Sequence, residues 1–187
     1  VVYYIFLFEE VKTMKSYILA FVISSFLSSS NLYGQPDTIW QKWNWLSGDW
    51  VGEGSGKPGQ GTGEFSFRPD LDGNIFVRRN HSVYPATKDK PELIHDDLMI
   101  IYLDNAREPT RAIYFDNENH TIDYAISYPE RSIVFTSNKL PAMPVFRLTY
   151  VPLENDTISV TFEISQDGQS FQTYTEGRCV RKKQSSD

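Results

Sequence analysis

The 187-residue chain has one cysteine, Cys179, so it forms no internal disulfide framework and no zinc site built on thiolates. It has no excess of positive charge. Its 18 Lys and Arg stand against 24 Asp and Glu, a net charge of −6, the wrong sign for nucleic acid or an anionic membrane as main partner. It contains no Walker phosphate loop, no Gly-x-Ser-x-Gly nucleophile elbow and no His-x-x-x-His metal spacing. Histidine is scarce, with only His81, His95 and His120. No apolar run reaches the ~20 residues of a transmembrane helix.

What is present begins with an address. Met14-Lys15 leads into the apolar stretch Tyr17 to Leu27, followed by small and polar residues up to Gly34. A basic start, an apolar run of secretory length and a small residue before Gln35 read as a signal peptide over 14–34, with 1–13 as upstream sequence. The other reading is an anchor helix that stays attached, but the run has no basic flank on its far side. The expectation is an exported protein, periplasmic or secreted, without a stable membrane span. Its single domain covers 35–180, and 181–187 form a frayed tail.

From Trp40 onward apolar residues alternate with polar ones. Phe65 and Phe67 interleave with Glu64, Ser66 and Arg68, and the run stops at the turn cluster Pro69-Asp70-Leu71-Asp72-Gly73. Gly48 to Gly54, Ile75 to Tyr84, Asp97 to Leu103, Arg111 to Asp116, His120 to Tyr128, Arg131 to Thr136, Val145 to Val151, Thr157 to Ser165 and Phe171 to Val180 complete about ten short strands. Pro85 to His95 reads as a loop, and the Gly-rich 52–63 stretch as a hairpin or lid over the barrel mouth. One segment reads as helix, Thr38 to Leu46, with Trp40, Trp43 and Leu46 at i, i+3 and i+6 and Asp37 or Thr38 as cap. Short turns between successive strands predict an all-β fold: one antiparallel up-and-down barrel closed by a short N-terminal helix.

All four tryptophans lie within eleven residues, Trp40 to Trp50, and the last sits in Gly48-Asp49-Trp50-Val51-Gly52-Glu53-Gly54 directly after the helical segment. This Gly-x-Trp opening resembles the calycin superfamily of lipocalins, fatty-acid-binding proteins and nitrobindin-like barrels. The longer Gly-x-Trp-x-Gly-x-Gly form most resembles the nitrobindin-like branch and uncharacterised exported lipocalin-like proteins. The resemblance implies that a short helix closes one end of the barrel, that Gly48 and Trp50 lie beneath the lumen, and that Arg178 from the last strand covers the Trp50 indole. Nitrobindin-like proteins hold haem through a late-strand histidine. Here Val145 to Asp187 contains none, so the expectation is no cofactor, with haem disfavoured.

Three clusters carry candidate chemistry. On a strand, His95, Asp97 and Met99 share a face; Tyr114 and Asp116 share another, and His120 and Tyr124 a third. Adjacent strands would gather these groups at one rim, where His95, Asp97 and His120 are catalytic candidates for acid–base chemistry. The bland alternative is turn chemistry, in which the same residues satisfy nearby backbone, and no metal is expected. Arg78-Arg79 lies mid-strand, so one guanidinium points inward, either to an anionic ligand group or to a salt bridge with Glu64 or Asp97. Asn80, Asn119 and Asn155 open Asn-x-Ser/Thr triplets, relevant only in a host that glycosylates exported proteins.

The leading expectation is lumenal binding of a small hydrophobic or amphipathic molecule, with Arg78, Met99, Tyr114, Asp116, Tyr124, Phe162 and Tyr174 lining the site. A barrel enzyme, such as an isomerase working through the histidine rim, is the alternative. A packed envelope-associated barrel is the third.

Overall fold

The computed structural model describes residues 39–53 and 61–183. The expected signal segment, both candidate helix caps and most of the Gly-rich stretch lie outside the described residues. Among those described, ten strands follow one another: β1 (Gly48–Gly52), β2 (Thr62–Asp70), β3 (Ile75–Tyr84), β4 (Leu93–Tyr102), β5 (Arg111–Asp116), β6 (Thr121–Ser127), β7 (Ile133–Ser137), β8 (Val145–Pro152), β9 (Thr157–Ser165) and β10 (Gln172–Arg181). Each pairs antiparallel with its sequence neighbour, and β1 also pairs with β10, so the sheet closes into a barrel without free edges.

Alternation decides what faces inward. Phe65 and Phe67 of β2, Phe76 and Arg78 of β3, Met99 and Ile101 of β4, Phe135 of β7 and Tyr150 of β8 are buried, while their chain neighbours face solvent or are only partly covered. Left-handed residues close the turns at one end: Leu71, Asp72 and Gly73 between β2 and β3, and Asn155 and Asp156 between β8 and β9.

The expected helix from Thr38 to Leu46 is a single 3₁₀ turn, Gln41–Trp43. Its period explains the spacing. Residues three apart eclipse in a 3₁₀ turn but drift round an α-helix, and Trp40, Trp43 and Leu46 are all buried on one side. The Trp43 amide bonds the Trp40 carbonyl at 2.8 Å and the Leu46 amide bonds that of Trp43 at 2.8 Å. The turn is pinned across the barrel end. Trp40 Nε1 donates to the Gly73 carbonyl at 2.6 Å, Trp43 Nε1 donates to the Tyr128 hydroxyl at 3.2 Å, and that hydroxyl donates to the Pro109 carbonyl. Trp43 also packs against the rings of Phe67, Phe76 and Phe135. Such pairs add about 0.5–1.5 kcal/mol each beyond area burial. This end of the barrel is plugged.

Several strand boundaries differ from the sequence reading, among them β2, which runs through Pro69 and Asp70, paired with Phe76 and Ile75. Leu93 to His95 belong to β4 rather than to the preceding loop, and Asp96 joins them to the expected strand, because Ser82 pairs with His95 and Tyr84 with Leu93. Arg181 belongs to β10, paired with Trp50, and not to a frayed tail. Alternation weakens near both ends: Leu93 and Ile94 are apolar yet exposed.

Candidate functional site

The plugged end is locked by one cation. Arg181 places its guanidinium 4.3 Å from the Trp50 ring centroid and donates to the carbonyls of Ser47 and, at 2.7 Å, Trp45. Trp50 Nε1 donates to the Leu46 carbonyl at 2.9 Å. Gly48 is required here because an added Cβ would stand 2.7 Å from Arg181 Nη1 and its φ is +118°. The expected partner of Trp50, Arg178, is displaced from this role by parity. Gly177, Cys179 and Arg181 share the inward face of β10, so Arg178 points outward, with its side chain 62% exposed and 3.7 Å from Glu53.

Above this plug lies a buried ion pair. Arg78 of β3 and Asp97 of β4 face inward, and Arg78 Nη1 donates to Asp97 Oδ1. Of the two partners considered from sequence, Asp97 is the one found. Phe65 covers the guanidinium, its ring centroid 5.5 Å away. Burial works to lower the Arg78 pKa, but the Asp97 carboxylate together with the Tyr150 and Tyr114 hydroxyls raises it. Arg78 Nε and the Tyr150 hydroxyl, both enclosed, have no partner of good hydrogen-bond geometry among the described residues, although the Arg78 guanidinium and the Tyr150 hydroxyl are close enough to act on each other. Burial pushes Tyr150 up to about 12.

The wall toward the open end, formed by β3, β4 and β5, is polar. The register sets Asp97 opposite Asp116 and Met99 opposite Tyr114. His95 Nδ1 lies 2.9 Å from Glu118 Oε1, and His95 Nε2 lies 3.1 Å from the Tyr114 hydroxyl and 3.5 Å from Asp97 Oδ2. The Asp97 hydrogen bond raises His95 to about 9, against opposition from burial and with help from Glu118. A protonated His95 donates from both nitrogens, which leaves the Tyr114 hydroxyl free to donate to Asp116 Oδ2 at 3.2 Å. Asp116 accepts the backbone amides of Glu118 and His120 and sits 2.8 Å from His120 Nδ1. Burial works to raise the Asp116 pKa, yet the His120 amide and ring and the Glu118 amide together lower it.

The opposite wall, β8 to β10, is apolar. Phe146 and Phe162 stack at 5.9 Å, and Tyr174 meets Phe162 edge-on at 6.1 Å while remaining 74% exposed. A register shift between Thr173 and Thr175 marks a bulge that swings Tyr174 toward the mouth. Below it, Gly177 pairs with Val160, and Val160 pairs with Tyr150. A Cβ built on Gly177 meets no atom of the described residues within 4 Å. The inner surface of β10 therefore borders open space. Beside it, Ile164, Gln172, Thr173 and Tyr174 line a hollow of about 460 Å³ at the β9–β10 tip.

The candidate residues thus fall into layers. Tyr114, Phe162 and Tyr174 border the open part of the lumen, and Asp116 stands behind Tyr114. Met99 and Tyr124 are buried below, packed with Ile101, Phe135 and Tyr150, and Arg78 is enclosed in its ion pair. Asp97 and His95 are joined, whereas His120 sits before β6 as an exposed rim residue bound to Asp116. That is the turn role weighed against a catalytic one. Asn80 occupies an inward position and bonds Ser82 at 3.2 Å, so its glycosylation triplet faces the lumen; Asn119 and Asn155 lie in exposed turns. Glu118, Phe146, Tyr150, Gly177 and Arg181 went unread in the sequence. Arg181 meets Trp50 through the β1–β10 register, which no pattern within either strand gives, and Glu118 sits in a turn that periodicity does not orient.

No protein-family model matches the sequence, and no curated protein does. Among solved structures the chain is similar to one titled as the crystal structure of Rv2717c from M. tuberculosis. The TM-score is 0.51 at 14% identity, and the match covers 78% of this chain and 98% of that one. At that identity the likeness establishes the barrel fold. Among the described residues, no three His, Cys, Asp or Glu side chains are grouped as metal ligands, and no helix is long and apolar enough to cross a membrane.

Proposed function

We propose that this is an exported calycin-like barrel whose upper lumen binds a small amphipathic molecule. The apolar face of the ligand lies on Phe146, Val160 and Phe162, and its polar edge lies toward His95 and Tyr114. The observation that carries this reading is the open space beside Gly177, bounded on one side by aromatic rings and on the other by a hydrogen-bonded polar wall. Apolar burial drives such binding at about 25 cal/mol per Å², less the cost of association. A histidine held protonated is a poor proton acceptor at neutral pH, so the lumen suits binding better than acid–base turnover. Haem fits these residues poorly. His95 is the inward-facing histidine, and both its nitrogens are engaged by Glu118 and Tyr114.

The test is Gly177→Phe, which places a ring in the open space on a strand position that accepts one. Fluorescence titration with the uncharged dye N-phenyl-1-naphthylamine should show saturable binding to the wild type and at least a ten-fold loss in the variant, with circular dichroism unchanged. Equal binding by both proteins would remove the lumen from consideration. Mass determination of the mature N-terminus checks export, with Gln35 as the expected first residue.

A further inference from the structure

We propose that the lumen selects against anions and takes amphipathic molecules whose polar end is neutral or cationic. This rests on the lumenal reading above and goes beyond it by assigning the charge class of the ligand. The inward arginine alone suggests a carboxylate or phosphate partner, but its position argues otherwise. Arg78 is already neutralised by Asp97, with its side chain 9% exposed and that of Asp97 3% exposed. A ligand anion would have to displace a buried carboxylate and strand it without a partner, at a cost of several kcal/mol. His95 is committed in the same way, to Glu118 at 2.9 Å and to Asp97 at 3.5 Å. Among the described residues, then, every cation of the inner wall has a carboxylate partner. Asp97 and, from the rim, Glu118 hold Arg78 and His95, and Asp116 is held by the rim His120.

The hydrogen-bond directions agree with the charges. Both His95 N–H groups and the Tyr114 hydroxyl proton are spent within the wall, so the wall offers an incoming ligand mainly oxygen acceptors. The remaining donors, Arg78 Nε and the Tyr150 hydroxyl, are enclosed below, at the level of Val160 and Gly177. Enclosed as they are, they offer nothing to an ionised group that brings its hydration shell. Across the barrel the aromatic wall above the plug carries, among the described residues, no inward charge to offset the carboxylates; Arg181, lower on β10, is spent on Trp50 and the plug carbonyls.

Two dyes with one ring system test this. N-phenyl-1-naphthylamine is uncharged, and 8-anilino-1-naphthalenesulfonate is the same molecule with one sulfonate. Only the binding that Gly177→Phe abolishes is counted as lumenal. The expected result is that the uncharged dye binds in the lumen at least ten-fold more tightly than the sulfonate. Glu118→Gln, a change in an exposed turn, should narrow that ratio several-fold, as should added salt. Equal or tighter lumenal binding of the sulfonate overturns the charge assignment and leaves the lumen reading intact. Lumenal binding of neither dye overturns both. A ratio that Glu118→Gln leaves unchanged removes the wall carboxylates as its cause and overturns the assignment.

Discussion

Two arginines three positions apart on β10 show how much a single side chain's direction matters. Arg181 stacks on Trp50 and bonds two carbonyls, while Arg178 reaches only Glu53 across solvent. Replacing Arg181 by Gln removes a partly desolvated cation–π contact and two hydrogen bonds, an expected loss of about 2–3 kcal/mol. Arg178→Gln should stay within about 0.5 kcal/mol of wild type. Urea midpoints of the two variants, at unchanged m, check the difference. His95 supplies a second residue-scale prediction. Its folded pKa, about 9, exceeds the unfolded value, so its stabilisation is complete below the unfolded value and is lost as pH rises through about 9. The groups facing it are Asp97, Glu118, Tyr114 and Asp116. Wild type should lose up to about 3 kcal/mol more than His95→Gln across that window, read from urea unfolding at pH 6.5 and 9.5.

At the scale of elements, the barrel has an uneven seam. β3 and β4 pair over ten rungs, from Ile75 with Tyr102 to Tyr84 with Leu93, whereas β1 meets β10 over three. The short seam is reinforced by Arg181 and Trp50 at one end and by the Glu53 amide bonding the Arg178 carbonyl at the other. Local opening follows the weakest ladder. Amide hydrogen exchange at Val51, Val180 and Lys182 should therefore be faster than at Arg78, Asn80 and Met99, with Arg181→Gln widening the gap. Equal protection along both ladders would show that the barrel opens only as a unit. The 3₁₀ turn belongs to the same scale. It holds its place through Trp40 bonding the turn after β2 and Trp43 bonding Tyr128 after β6, which in turn bonds Pro109 after β4, not through helical propensity.

For the whole molecule, chain order and turn chemistry already dictate a meander: short segments of period two, joined by Asp-, Asn- and Gly-bearing turns, close most simply on themselves. The plug was legible too, because three tryptophans before Trp50 have no other apolar surface to enter. The candidate site was only half legible. His95, Asp97, Tyr114 and Asp116 could be grouped from sequence because β4 and β5 are consecutive and their faces alternate predictably. Arg78 could be placed inside, but not assigned a partner, since two carboxylates were within reach of β3. Sequence periodicity ran out at the strand ends, where exposed apolar residues such as Leu93 and Ile94 blur the pattern.

The sequence by itself determined the number of strands, their order and the end that closes, since these follow from local periodicity and from turns a few residues long. Only the tertiary structure decided that Arg181 rather than Arg178 meets Trp50, that Asp97 takes the charge of Arg78, and that space remains beside Gly177. Each of these depends on register between strands, across the β1–β10 closure for Arg181 and across the β3–β4 hairpin for Asp97. One residue of slip would exchange the inner and outer faces, and no local pattern encodes that choice.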